Sequence, residues 1–146
     1  MTLTAPPAAA APARGRRLRG VAGPLAAAVA AAAGVAYVAA VDPNEPGHYP
    51  TCPFLAVTGW FCPGCGALRT VHAVAHGNLD EALSLNVLVL AAMPLLAAIW
   101  VAWLVRGWTG RPRRWAAPGW SLWTMLAVVL GFWLLRNLPA FAVLAP

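Results

Sequence analysis

The sequence predicts an all-α integral membrane protein with three transmembrane helices and a short amphipathic helix in the first loop. Two compositional facts and one pattern carry this. Apolar residues make up 61% of the chain and charged residues 10%, against about 45–50% and about 25% in soluble domains. Three long apolar runs, each near the length of a bilayer span, are separated by polar segments, and most of the charge flanks them. A net charge of +6 would suit a nucleic-acid binder only on a water-soluble body with a basic face. Here the lipid bilayer is the expected partner and nucleic acid is not.

Residues 1–20, MTLTAPPAAAAPARGRRLRG, are Pro/Ala-rich and then basic. They offer little to bury and are expected to be disordered. Residues 21–41 hold no charge and match the roughly 20 residues a span needs, although Gly23, Pro24 and Gly34 dilute the run. A cleaved signal peptide competes, with Arg14, Arg16, Arg17 and Arg19 as its basic region and Val38-Ala39-Ala40 as its cleavage site. The run exceeds the usual length of about 7–15 residues for such a core, so a retained first span is expected.

After the loop 42–84, the second span covers residues 85–105, LNVLVLAAMPLLAAIWVAWLV. Asn78 and Glu81 form an Asn-x-x-Glu variant of the capping box, and Asp80 and Glu81 complement the positive end of the helix dipole. The helix should therefore begin near Leu79, outside the hydrocarbon. Pro94 removes a backbone bond and should kink it. The loop 106–119 is arginine-rich, and a third span follows over residues 120–138, with Arg136 and Asn137 in its last turn. Pro139 opens the tail 139–146. Trp60, Trp103, Trp108, Trp115, Trp120 and Trp133 lie near predicted helix ends or in loops, as an interfacial aromatic belt requires.

Orientation follows from the arginines. Arg14, Arg16, Arg17 and Arg19 precede the first span; Arg106, Arg111, Arg113 and Arg114 sit after the second; the 42–84 loop holds only Arg69. The positive-inside rule places the N-terminus inside and the 42–84 loop outside.

That loop contains every cysteine of the chain, in CPFLAVTGWFCPGCGALRTVHAVAHG from Cys52 to Gly77. Outside the cell thiols can pair and stay paired, and three readings compete. A disulfide from Cys52 to Cys62 or Cys65 would staple the loop. Cys62-Pro63-Gly64-Cys65 before a helix start could be a redox pair, since a helix N-terminus lowers a thiol pKa. Cys52, Cys62 and Cys65 could hold zinc, with His72 or His76 as the fourth ligand. The leftover third cysteine is awkward for a pure staple. His72 and His76 share one helical face, but ALRTVHAVAHG also presents Leu68, Val71 and Ala75 as an apolar stripe suited to the membrane interface. Arg136 ends the third span at the depth of this loop. It is expected either to snorkel to headgroups or to pair with Asp80 or Glu81. Catalytic residues are not assignable.

Cys52-Pro53, Thr58-Gly59, Cys62-Pro63-Gly64-Cys65-Gly66, Arg69, Gly77, Ala82 and Asn86 together resemble the bacterial membrane-protein family known as domain of unknown function 2752. The late Arg136-Asn137-x-Pro139 is similar to the family's ending. Leu68 stands where Thr is usual, and Val87 where the family often has Pro after its Asn. The resemblance implies a small multi-span protein of the bacterial cytoplasmic membrane with a cysteine-rich loop, and marks Arg69, Asn86 and Arg136 as loop and interface candidates. It implies no activity. The leading expectation is a non-enzymatic membrane protein whose outer loop is a structural or recognition element; the alternatives are a thiol oxidoreductase using Cys62 and Cys65, or a Cys/His metal-binding protein with zinc as its cofactor. The chain is too short to enclose a transport path alone, so any such role would need a homo-oligomer or a membrane partner.

Overall fold

A computed structural model describes residues 13–112 and 117–145. Among them the chain is helical without a strand: α1 (Ala13–Ala40), α2 (Pro53–Thr58), α3 (Ala67–Ala75), α4 (Leu79–Thr109), α5 (Trp120–Arg136) and a closing 3₁₀ segment, Pro139–Leu144. α1 and α4 are long and apolar enough to cross a membrane, and α5 is a shorter apolar helix. Large apolar side chains are exposed along all three, Val29, Leu95, Ile99, Leu122 and Val128 among them.

α1 starts earlier than expected. The disorder expected of residues 1–20 does not hold for Ala13–Gly20, which are helical; residues 1–12 lie outside the described residues. Ala, Leu and Arg are strong helix formers, so the basic segment extends the apolar helix by two turns. Pro24 stays inside α1, and its carbonyl accepts a hydrogen bond from Trp100 Nε1 at 2.9 Å. Near it α1 and α4 cross at two glycines: a Cβ on Gly107 would lie 2.8 Å from the Gly20 carbonyl carbon. Gly23 faces the Trp103 ring, 3.0 Å from where its Cβ would be. Gly23 and Pro24, two of the three residues that dilute the first span, thus belong to its contact with the second, as small residues do where helices approach closely. The pair runs antiparallel, with Arg17 and Arg19 of α1 at the same end as Arg106 of α4.

α4 begins at Leu79 as predicted, and Pro94 lies inside it. The backbone leaves helical geometry earlier, at Asn86, whose extended conformation (φ −159°, ψ 92°) divides the helix. Asn86 Oδ1 accepts from the Val89 amide at 3.0 Å, the bond an N-cap makes to the third residue of its helix. Asn86 therefore caps the long segment from 87 to 109, roughly 35 Å at about 1.5 Å per residue. Asn78, the expected cap, makes no such bond; its Nδ2 donates instead to Glu81 Oε2 at 2.8 Å.

Two short helices fold the loop. α2 was not anticipated, although its signals are plain: Pro53 at its start and Gly59 past its end, in the left-handed region at φ 72°, the usual asymmetry of helix termini. α3 is the expected amphipathic helix. Its buried residues are Thr70 and Ala73, turned to α4 and the end of α1, so its inner face meets protein, while Leu68 of the expected stripe is exposed. Gly77 (φ 78°) ends it: Asn78 N–H donates to Ala73 O at 2.8 Å and Gly77 N–H to Val74 O at 3.0 Å. This is a Schellman motif, and it turns α3 directly into α4.

Candidate metal centre

Cys52 occupies the position before α2. The chain reverses at Gly59 and returns through Phe61 to Cys62, where Pro63 and Gly64 fill a tight turn closed by Cys65 N–H donating to Cys62 O at 3.1 Å. The turn brings the Cys62 and Cys65 sulfurs to 3.2 Å, and the returning chain sets Cys52 Sγ 3.5 Å from Cys62 Sγ. All three sulfurs lie within 4.8 Å of one another, and none is in a disulfide. Three sulfurs bound tetrahedrally to zinc at about 2.3 Å would sit roughly 3.8 Å apart, so the set needs only small adjustments to close on such an ion.

Three side chains from distant elements hold the turn from beneath. Asn86 is buried, and its Nδ2 donates to Pro63 O and Cys65 O, each at 2.9 Å. With Oδ1 on the Val89 amide, both donors and the oxygen of that carboxamide are engaged. Arg136, 1% exposed, donates through Nη1 to Cys62 O at 3.1 Å, Cys65 O at 3.2 Å and Pro63 O at 3.4 Å. It neither snorkels nor pairs with Asp80 or Glu81. Asn137 accepts from Phe61 N–H at 2.8 Å and donates back to Phe61 O at 2.9 Å. The next peptide group carries the order onward, since Cys62 N–H points to Cys65 Sγ at 3.3 Å. Trp133 packs against Phe54 and Trp60, with ring centroids 6.1 and 5.8 Å apart, which fixes the end of α5 beside α2.

The sulfurs differ in environment. Burial, with Cys62 next to it, pushes the Cys65 thiol up to about 12, whereas the Leu55 amide at the start of α2 and the Cys62 thiol hold Cys52 below its ordinary value. A thiol raised this far is neutral at pH 7, and a metal binds it by displacing its proton.

The histidines stand apart from this cluster. His72 Nδ1 lies 2.8 Å from Val38 O, tying α3 to the end of α1, and its Nε2 is 3.9 Å from Asp42 Oδ1. His76 Nδ1 lies 2.9 Å from His72 O, and the two ring centroids are 4.3 Å apart with the planes tilted by 34°. The metal-ligand role expected of His72 or His76 is therefore not the one the fold gives them. Arg69 is exposed and lines a cavity of about 490 Å³ shared with Tyr49 and the three cysteines. Asn137 and Phe61 were not singled out from sequence, though the Arg136-Asn137 pair was visible as a motif.

Residues 52–100 match the family described as Protein of unknown function (DUF2752), the family that the CPGCG motif resembles. No curated protein and no solved structure matches the chain.

Proposed function

We propose, with the DUF2752 segment as premise, that this is a metal-binding protein of the bacterial cytoplasmic membrane. In this reading it has three spans, its N-terminus inside and its cysteine site on the outer face. The arginine bias supports the orientation, and the exposed apolar faces of α1, α4 and α5 support contact with lipid. The contact of α1 with α4 supports retention of the first span. Cys52, Cys62 and Cys65 supply three thiolates, and zinc, or another ion that prefers sulfur and tetrahedral geometry, fits them. The observation that carries this reading is the mutual approach of all three sulfurs within 4.8 Å, which a staple between two cysteines would not require.

Three protein ligands leave a fourth position, and the cysteines line the cavity beside Arg69. An open position of this kind suits exchange of an outside ligand or transfer of the ion. Cadmium titration of the purified, reduced protein tests the proposal. A thiolate-to-metal absorption band should grow to one equivalent and fail in each of Cys52→Ser, Cys62→Ser and Cys65→Ser. A band that survives in Cys52→Ser would reduce the site to the Cys62–Cys65 pair. That outcome would favour the redox reading, which the 3.2 Å separation of those two sulfurs also supports.

A further inference from the structure

Arg136 is the largest fully buried side chain described, and it has no carboxylate partner among the described residues. The chain has four acidic residues. Asp42 is bonded to Asn44 and faces His72, Glu45 faces His48, and Glu81 is bonded to Asn78. Asp80 makes no ion pair among the described residues. The guanidinium instead faces three neutral carbonyls and the Phe132 ring at 4.9 Å, while its Nε and Nη2 have no hydrogen-bond partner among the described residues. A buried cation is costly unless an anion lies nearby. The ionisable groups on the turn it grips are Cys62 and Cys65, and both supply carbonyls to it.

From this arrangement we infer that Arg136 is the fixed counter-charge of the cysteine site and makes it a site for a divalent ion. The inference rests on the metal reading above. When a divalent ion binds, three thiols release their protons to solvent and the ion with its three thiolates carries one net negative charge. The guanidinium beneath the turn balances it, so three thiolates, one arginine and one divalent cation sum to zero. The hydrogen bonds to Cys62 O, Pro63 O and Cys65 O set the position of that charge. Arg136 is thus a positioning and charge-compensating residue, not a ligand.

The test compares cadmium affinity, by chelator competition, in the wild type, Arg136→Lys and Arg136→Gln. Gln can still donate to a carbonyl but carries no charge. The inference predicts that Gln weakens binding at least about tenfold, as loss of a nearby charge in a partly buried site would, and that Lys recovers most of it. Equal affinities for Lys and Gln would reduce Arg136 to a structural prop and overturn the inference while leaving the metal site standing. A wild-type protein that binds no cadmium would remove the metal reading itself. If Arg136→Gln does not fold, the same substitution is made with all three cysteines changed to serine. There the charge has no anion to serve, and the inference predicts a folded protein. Failure to fold in that background too would also overturn it.

Discussion

Asn137 pairs with Phe61 across 76 positions of sequence as one peptide group pairs with another. The Phe61 amide donates to Oδ1 at 2.8 Å and Phe61 O accepts from Nδ2 at 2.9 Å. Because α5 meets the rest of the protein mainly through this end and the 3₁₀ segment after it, the pair anchors the last helix to the cysteine loop. Asn137→Ala leaves both Phe61 groups without a protein partner and should cost about 2–4 kcal/mol. Asn137→Asp keeps the acceptor, loses the donor and should fall between. Thermal melts in detergent check this; an Ala variant as stable as the wild type would remove the anchor.

Asn86 leads to a second expectation. Asn86→Ala loses a cap worth about 1 kcal/mol and two bonds to the turn, for a total of about 2–4 kcal/mol. Asn78→Ala breaks only an exposed contact with Glu81 and should change stability by less than about 0.5 kcal/mol. Val87 occupies the first helical position after the cap, where proline is well tolerated, and the extended backbone of Asn86 suits a following proline. Val87→Pro should therefore melt near the wild type, while Leu90→Pro should not fold. The reverse order would displace the cap from Asn86.

How much of this was open to a sequence reader depends on range. Hydropathy is summed over many residues, so the long helices were legible; the start at Leu79 was read from Asn78, Asp80 and Glu81, and the grouping of the cysteines from the short stretch that holds them. The i, i+4 spacing of His72 and His76 gave a shared face but not what covers it, which is the end of α1. Arg136 and Asn137 were legible in depth only. Their partners lie more than 70 residues away in a turn whose carbonyls no composition reveals. Asn86 was visible through the family resemblance alone, because a cap inside an apolar run has no hydropathic signature.

The crossing of α1 and α4 yields a third expectation. Gly107→Ala would drive a methyl into the Gly20 carbonyl, backbone against backbone, and should lower the melting temperature by several degrees. Gly34 has open space around it, so Gly34→Ala should be neutral or gain up to about 1 kcal/mol from helix propensity. Similar effects at both positions would place the contact elsewhere.

Orientation is tested in whole cells. With the native cysteines changed to serine, a single cysteine at exposed Asn44 should react with a membrane-impermeant thiol reagent before lysis. One at Arg111 should react only afterwards. The opposite pattern would invert the topology.

The central claim is that Cys52, Cys62 and Cys65 act together as ligands of one ion. Native mass spectrometry of the protein, extracted from its own membranes without added metal or chelator, addresses it most directly. The account predicts a chain carrying one zinc-class divalent ion, with three thiols that become open to alkylation only when a chelator removes it. A metal-free chain lighter by two hydrogens, with one disulfide among these cysteines and one thiol left, would contradict it.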